Sequence, residues 1–95
     1  MLPVGWTLKR ALTEIGSHSE QSRERACRTL WRYRAPQATR ALVMALGDVS
    51  SRVRAVAAQG LGHRRAASAV SALKVPLRTD SSGTVRAMCA VALRS

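Results

Sequence analysis

Two cysteines, two histidines and five acidic residues are the side chains of this sequence with the chemistry to catalyse or to bind metal. The cysteines and histidines are Cys27, Cys89, His18 and His63. No two of them lie within about two to five residues of each other, the spacing at which zinc ligands occur. The acids are scattered, and no carboxylate pair or Ser/His/Asp set has a supporting context. The sequence therefore predicts no catalytic residue, no metal site and no cofactor.

An aromatic and basic run, Trp31-Arg32-Tyr33-Arg34, stands near the end of a predicted helix. Aromatic rings stack on nucleic-acid bases, and neighbouring guanidinium groups bind phosphate groups. Trp31, Arg32 and Arg34 are therefore candidates for binding an anionic partner. The alternative is that Trp31 covers the turn between two helices as part of the packing.

The net charge of +11 favours an anionic partner, such as a nucleic acid, an acidic protein or a lipid surface. Arginine supplies most of this charge, and a GC-rich coding sequence would give the same composition without selection for binding. The charge therefore leaves a functional and a compositional interpretation open.

A repeated phrase indicates which elements position these residues. The stretch from Asp48 to Gly62 begins with capping residues and continues with apolar residues at the i, i+3, i+4 spacing of one helix face. Gly62 is predicted to end this helix in the left-handed conformation. The phrase returns 32 residues later from Asp80, and an upstream copy, shifted by 31 residues, has Ser17 in place of the aspartate. Repeats of this length that alternate helix and turn predict a helical solenoid.

The repeat predicts six helices, with breaks near residues 16–18, 34–36, 47–50, 62–65 and 78–82. We expect residues 1–95 to form a single domain. Its predicted parts are a half repeat at 1–16, repeats at 17–47 and 48–79, and a half repeat at 80–95. Cys27 and Cys89 occupy positions that other copies fill with alanine, so both are expected in the core.

The Asp…Val-Arg…Ala-Ala…Leu-Gly pattern of residues 48–62 resembles the short HEAT-like repeats first described in phycobilisome lyases. The resemblance implies an all-α fold, a right-handed α-solenoid of about three HEAT-like helical hairpins. It also implies that Arg54 and its equivalents, Arg23 and Arg86, bond to acids or carbonyls of neighbouring repeats. Related helical-repeat metalloenzymes such as deoxyhypusine hydroxylase use His-Glu pairs, which this sequence lacks, so their activity is not implied.

In solenoids of this kind the second helix of each repeat lines the concave face, and Arg10, Arg40 and Lys74 fall on these helices. They are expected to form either a row of cations for an anionic partner or a solvated surface. The sequence thus predicts a non-enzymatic macromolecular binding module, a scaffold for protein–protein interaction. Sequence-independent nucleic-acid binding is the alternative. We expect a cytoplasmic protein without a membrane partner, because the chain lacks a signal-peptide pattern and an apolar run of about 18 residues.

The terminal helices lead to a prediction of self-association. Under the predicted repeat boundaries, each terminal helix lacks the helix that would pair with it, so its apolar flank should be uncovered. Leaving a large apolar side chain exposed forfeits about 1.5–3 kcal/mol. A two-fold homodimer through one end is expected, and continued head-to-tail stacking into filaments is the alternative. The residues expected to mediate self-association are Leu8, Leu12, Met88 and Leu93.

Overall fold

The computed structural model describes residues 4–64 and 66–94, with side chains from Thr7 onward. Over these residues the chain forms six α-helices and no strand. They are α1 (Val4–Glu14), α2 (Glu20–Leu30), α3 (Pro36–Ala45), α4 (Ser51–Leu61), α5 (Ala67–Thr79) and α6 (Gly83–Arg94). Each predicted break overlaps a segment between two of these helices, so the predicted all-α helical-repeat fold is confirmed.

Serine and aspartate side chains determine where the even-numbered helices begin. Ser19, Ser50 and Ser82 cap α2, α4 and α6, because each hydroxyl oxygen accepts a hydrogen bond from the backbone N–H three residues later. In the preceding turns, the carboxylates of Asp48 and Asp80 accept from the backbone N–H groups of the serines two residues on. The turns thereby hold both carboxylates in fixed positions beside the helix starts.

Arg54, on α4, bridges two of these loops along one edge of the fold. Its Nε and Nη2 donate to the two carboxylate oxygens of Asp80, at 2.9 and 3.1 Å. Its Nη1 donates to the backbone carbonyls of Asp48 and Val49, at 2.8 and 3.2 Å. One guanidinium group therefore ties the α3–α4 loop to the α5–α6 loop through charge-assisted bonds.

Arg23 makes the equivalent bridge one repeat earlier. Its Nε and Nη2 donate to the Asp48 carboxylate at 2.8 and 3.2 Å, and its Nη1 donates to the carbonyls of Ser17 and His18. Arg86 donates to the carbonyl of Asp80 at 2.7 Å, within its own predicted repeat, and its guanidinium forms no ion pair with a carboxylate among the described residues. The implied bonding to neighbouring repeats is thus confirmed for Arg23 and Arg54. We call the pairs Arg23–Asp48 and Arg54–Asp80 the arginine–aspartate bridges.

The core between the helices consists of leucine, valine, cysteine and many alanine side chains. The largest fully buried side chains are those of Leu30, Leu42, Leu61, Leu73, Val53, Val85, Cys27 and Cys89. The prediction that both cysteines belong to the core is therefore confirmed. Helix α4 lies in the middle and packs against both α2 and α6. The pairs α1–α2, α3–α4 and α5–α6, which are joined through the Ser17, Asp48 and Asp80 loops, pack more extensively than the pairs α2–α3 and α4–α5. The predicted repeat boundaries stay a prediction.

Gly62 follows α4, but it does not adopt the left-handed conformation that the sequence predicts. Its φ of −64° and ψ of −19° are right-handed, and none of the described glycines has a positive φ. Glycine is needed there for a different reason. A Cβ atom at Gly62 would lie 2.9 Å from the Cβ of Ala92 in α6. The missing side chain therefore allows the end of α4 to approach α6 closely.

Replacing Arg54 with alanine should lower the free energy of unfolding by about 2–4 kcal/mol, because a carboxylate that is 6% exposed and two carbonyls lose their donor. In a domain of this size, we expect the melting temperature to fall by roughly 10 °C or more. Arg40→Ala, on the exposed side of α3, is the control and should change the stability by less than about 0.5 kcal/mol. Urea and thermal unfolding followed by circular dichroism measure both variants. Equal losses would show that Arg54 has no special structural role.

Low pH should weaken the Arg54–Asp80 bridge, because the Asp80 carboxylate becomes protonated. Hydrogen bonds from Arg54 hold the pKa of the Asp80 carboxyl below its ordinary value of 3.8. A lowered pKa in the folded state contributes stability that is fully present above the unfolded pKa and is lost as the pH falls through the folded pKa. We therefore expect the free energy of unfolding to decline from about pH 4 downward. Asp80→Asn should make the free energy of unfolding depend less on pH in this range. If the pH dependence is unchanged in this variant, other carboxyl groups cause the decline.

Candidate functional site

Two open grooves separate the helices α1, α3 and α5. The first lies between α1 and α3 and has a volume of about 460 Å³, and the second lies between α3 and α5 and has a volume of about 400 Å³. Their walls are equivalent: Leu12, Ile15, Gly16, Ala41, Met44 and Ala45 of the first recur 31 residues later as Val43, Leu46, Gly47, Ala72, Val75 and Pro76 of the second. The repeat therefore produces the same mostly apolar groove twice.

Two large apolar side chains stand exposed beside these grooves. Met44 on α3 is 80% exposed, and Val75, its equivalent on α5, is 67% exposed. Exposed apolar side chains are common singly, but these two recur at equivalent repeat positions on a surface that carries two apolar grooves. We call this surface, made by α1, α3 and α5 with Met44 and Val75, the groove face. Neither residue was predicted to have a role, although their spacing of 31 residues matches the repeat length.

The three cations predicted to form a row lie on the three helices of the groove face. Arg40 is exposed on α3 and lines the first groove, and Lys74 is exposed on α5. Arg10 on α1 is paired with Glu14 at 3.2 Å, and this glutamate also lies 3.6 Å from Arg25. Arg10 therefore presents less uncompensated charge than Arg40. The role of these residues in binding stays a prediction.

Trp31 is held in place by α4. Its indole Nε1 donates to the carbonyl of Val56 at 3.1 Å, and its ring lies so close to Gly60 that a Cβ atom there would collide with it. The guanidinium of Arg28 lies 5.9 Å from the ring, and the His63 ring lies 5.6 Å away. These contacts give Trp31 a packing role between α2 and α4, which was the alternative considered for it. Stacking of a base on Trp31 stays a prediction.

The segments at the opposite edge from the arginine–aspartate bridges are connected by Arg64. Its Nη2 donates to the carbonyls of Leu30 and Tyr33, at 2.8 and 2.6 Å, and so ties the end of α2 to the segment after α4. Arg32 and Arg34, the predicted anion-binding residues of this edge, are exposed. The role of Arg64 was not predictable from the sequence, because its hydrogen-bond acceptors are backbone carbonyls, which every residue has.

The residues predicted to mediate self-association are partly covered. The side chains of Leu8, Leu12, Met88 and Leu93 are half-buried and pack against the core cluster. Leu12 also lines the first groove. Association of two copies through these residues stays a prediction.

Two further findings concern metal and membranes. Within residues 7–64 and 66–94, no group of three His, Cys, Asp or Glu side chains has an arrangement that could hold a metal ion. None of the helices in the described part of the chain has the length and apolar character needed to cross a bilayer.

Comparison with models of protein families shows which family the chain belongs to. The family model of HEAT repeats matches residues 8–94, which extend from α1 to the end of α6. The search of curated proteins found no match. The match concerns HEAT repeats in general, so the narrower likeness to phycobilisome-lyase repeats stays a prediction.

Both thiols should be unreactive in the folded protein. Burial raises the pKa of Cys27 to about 12 and also raises the pKa of Cys89, and both residues are 0% exposed. Because the thiolate is the reactive form, N-ethylmaleimide at about pH 7 should modify neither cysteine in the native protein and both in urea. Mass spectrometry counts the adducts. Rapid modification of native Cys27 or Cys89 would contradict the packing described above.

Proposed function

Because the chain belongs to the family of HEAT repeats, we propose that it is a non-enzymatic binding module that docks another polypeptide on the groove face. Helical-repeat proteins use their extended surfaces in this way, since stacked helices present equivalent pockets at regular intervals. The observation that carries the proposal is the exposure of Met44 and Val75 at equivalent positions over two equivalent grooves.

The grooves favour apolar side chains at repeat spacing. Each is lined by small and aliphatic residues, and the volumes of about 460 and 400 Å³ are sufficient for an aliphatic or aromatic side chain with its backbone. Covering Met44 and Val75 removes apolar area from water, which contributes about 25 cal/mol per Å² to association before its entropic cost. A partner with two apolar anchors would therefore gain most from this surface.

Charge on the groove face favours an acidic partner. Arg40 borders the first groove, Lys74 lies exposed on α5, and neither forms an ion pair with a described residue. Asp48 and Asp80 also border the grooves, but the arginine–aspartate bridges already occupy their carboxylates. The cations therefore attract carboxylates of the partner and increase its association rate.

Selection of peptides from a random displayed library on the full chain tests this proposal. Selected peptides should combine apolar anchors with acidic residues. The double variant Met44→Gln/Val75→Gln should weaken their binding about tenfold or more in fluorescence anisotropy without lowering the melting temperature. Val49→Gln is the matched control, because Val49 is 92% exposed in the α3–α4 loop and its loss should leave affinity unchanged. Equal affinity for the double variant would contradict the proposed docking surface.

Sequence-independent nucleic-acid binding is the second candidate function. It is supported by the cations that have no acidic partner among the described residues, which include Arg32, Arg34, Arg40, Lys74, Arg78 and Arg94. Such binding would release counterions from the phosphate backbone, so it would depend steeply on salt.

Fluorescence anisotropy with a labelled oligonucleotide separates the two candidates. If nucleic acid is the partner, binding at about 50 mM salt should weaken by orders of magnitude at about 200 mM and should not depend on sequence. Met44→Gln/Val75→Gln should leave it unchanged, whereas Arg40→Gln should weaken it. Absence of binding at about 50 mM salt with about 50 µM protein would exclude this candidate.

A further inference from the structure

A third cavity lies at the edge where α2 and α4 end and α3 and α5 begin. Its volume is about 360 Å³, and it is lined by Arg34, Thr39, His63, Arg64 and Ala66. Three of these residues are basic, and none is acidic. The volume falls within the range of small-ligand sites, and the lining residues differ completely from those of the two grooves.

Arg64 gives this cavity an uncompensated charge. Its Nη2 donates to two backbone carbonyls, but its Nε is buried and has no hydrogen-bond partner among the described residues. Arg23 and Arg54 differ from it, because each has a carboxylate to neutralise its guanidinium. Burial without such a partner lowers the pKa of Arg64. Because no carboxylate neutralises Arg64, an anion that contacts its guanidinium group from the cavity gains more than it would beside Arg23 or Arg54.

The other lining residues supply further donors. Arg34 is exposed and forms no ion pair with a described residue, so its guanidinium is free to turn toward a ligand. The Thr39 hydroxyl comes from the first turn of α3. Ala35 and Ala66, the residues that precede α3 and α5, provide no side-chain cap, whereas serines cap α2 and α4. The amino-terminal ends of these two helices add positive potential at this edge, because no side chain caps them.

We propose that this cavity binds the phosphoryl group of a phosphate monoester, with Arg34 and Arg64 as the charged donors and Thr39 as a neutral donor. Guanidinium groups match the oxygens of a phosphoryl group through pairs of parallel hydrogen bonds. A volume of about 360 Å³ also leaves room for the group to which the phosphate is esterified. The site is separate from the groove face, so its occupation does not depend on the polypeptide partner.

Titration of the full chain with inorganic phosphate, at constant ionic strength, tests the site. The readout is the fluorescence of Trp31, whose ring lies 5.6 Å from that of His63, in a Trp6→Phe background that removes the other tryptophan. We expect saturable binding with a dissociation constant near or below about 1 mM, together with a rise in melting temperature. Phosphoserine and adenosine 5′-monophosphate, titrated in parallel, indicate whether an amino acid or a nucleoside carries the preferred phosphate.

Arg34→Gln should weaken phosphate binding about tenfold or more, because one charge-assisted donor pair is lost. Arg32→Gln is the matched control, since it removes the same charge from the same segment at a residue that does not line the cavity. Thr39→Val provides a second variant that avoids the structural bonds of Arg64. Three results would overturn the proposal: no saturable signal up to about 50 mM phosphate, equal effects of Arg34→Gln and Arg32→Gln, or acetate binding as tightly as phosphate.

Discussion

A guanidinium group that reaches from one helix to the loop of the next repeat is the interaction on which this fold depends. Arg23 meets Asp48 and Arg54 meets Asp80, over sequence separations of 25 and 26 residues. Each arginine also holds the carbonyls of the loop before its own helix. Alanine-rich helices bury little area per residue, so the contribution of these polar contacts to stability is proportionally large. They also require a nearly constant repeat length, because an insertion would separate each arginine from its aspartate.

The same bridges determine which charges remain for binding. Asp48 and Asp80 are two of the five acids of the chain, and each neutralises an arginine at one edge. Glu14 and Glu24 form ion pairs with further arginines on α1, α2 and α4. Few acids are therefore left to balance the cations of α3, α5 and the opposite edge. Part of the surplus positive charge lies on the groove face and around the cavity near Arg34, where it favours acidic or phosphorylated ligands, and Arg86 and Arg94 add to it on α6.

The six helices could be predicted from the sequence, because similar helix-start and helix-end residues recur in each copy of the repeat. The repeat length, the serine caps and the loop aspartates indicated six helices, and the resemblance to HEAT-like repeats implied the structural role of Arg54. Gly62 was predicted to be left-handed, but it is right-handed, and its missing side chain instead allows α6 to approach α4 closely. The sequence could not distinguish these two roles, because a local turn and a close long-range contact both favour glycine. Arg64 and the exposure of Met44 and Val75 were not foreseen. The bonding of Arg64 depends on backbone carbonyls of distant residues, which the sequence does not mark. The exposure of Met44 and Val75 depends on how α1, α3 and α5 pack, which leaves one side of α3 and of α5 uncovered.

A double-mutant cycle on Arg54 and Asp80 tests the role of the bridges most directly. The free energies of unfolding of the original protein, Arg54→Met, Asp80→Asn and the double variant are measured in urea at neutral pH. If the bridge links the repeats, the two substitutions are not additive, and the coupling energy should be about 1.5–3 kcal/mol. A coupling energy within about 0.5 kcal/mol of zero would contradict this account, because the two residues would then stabilise the fold independently of each other.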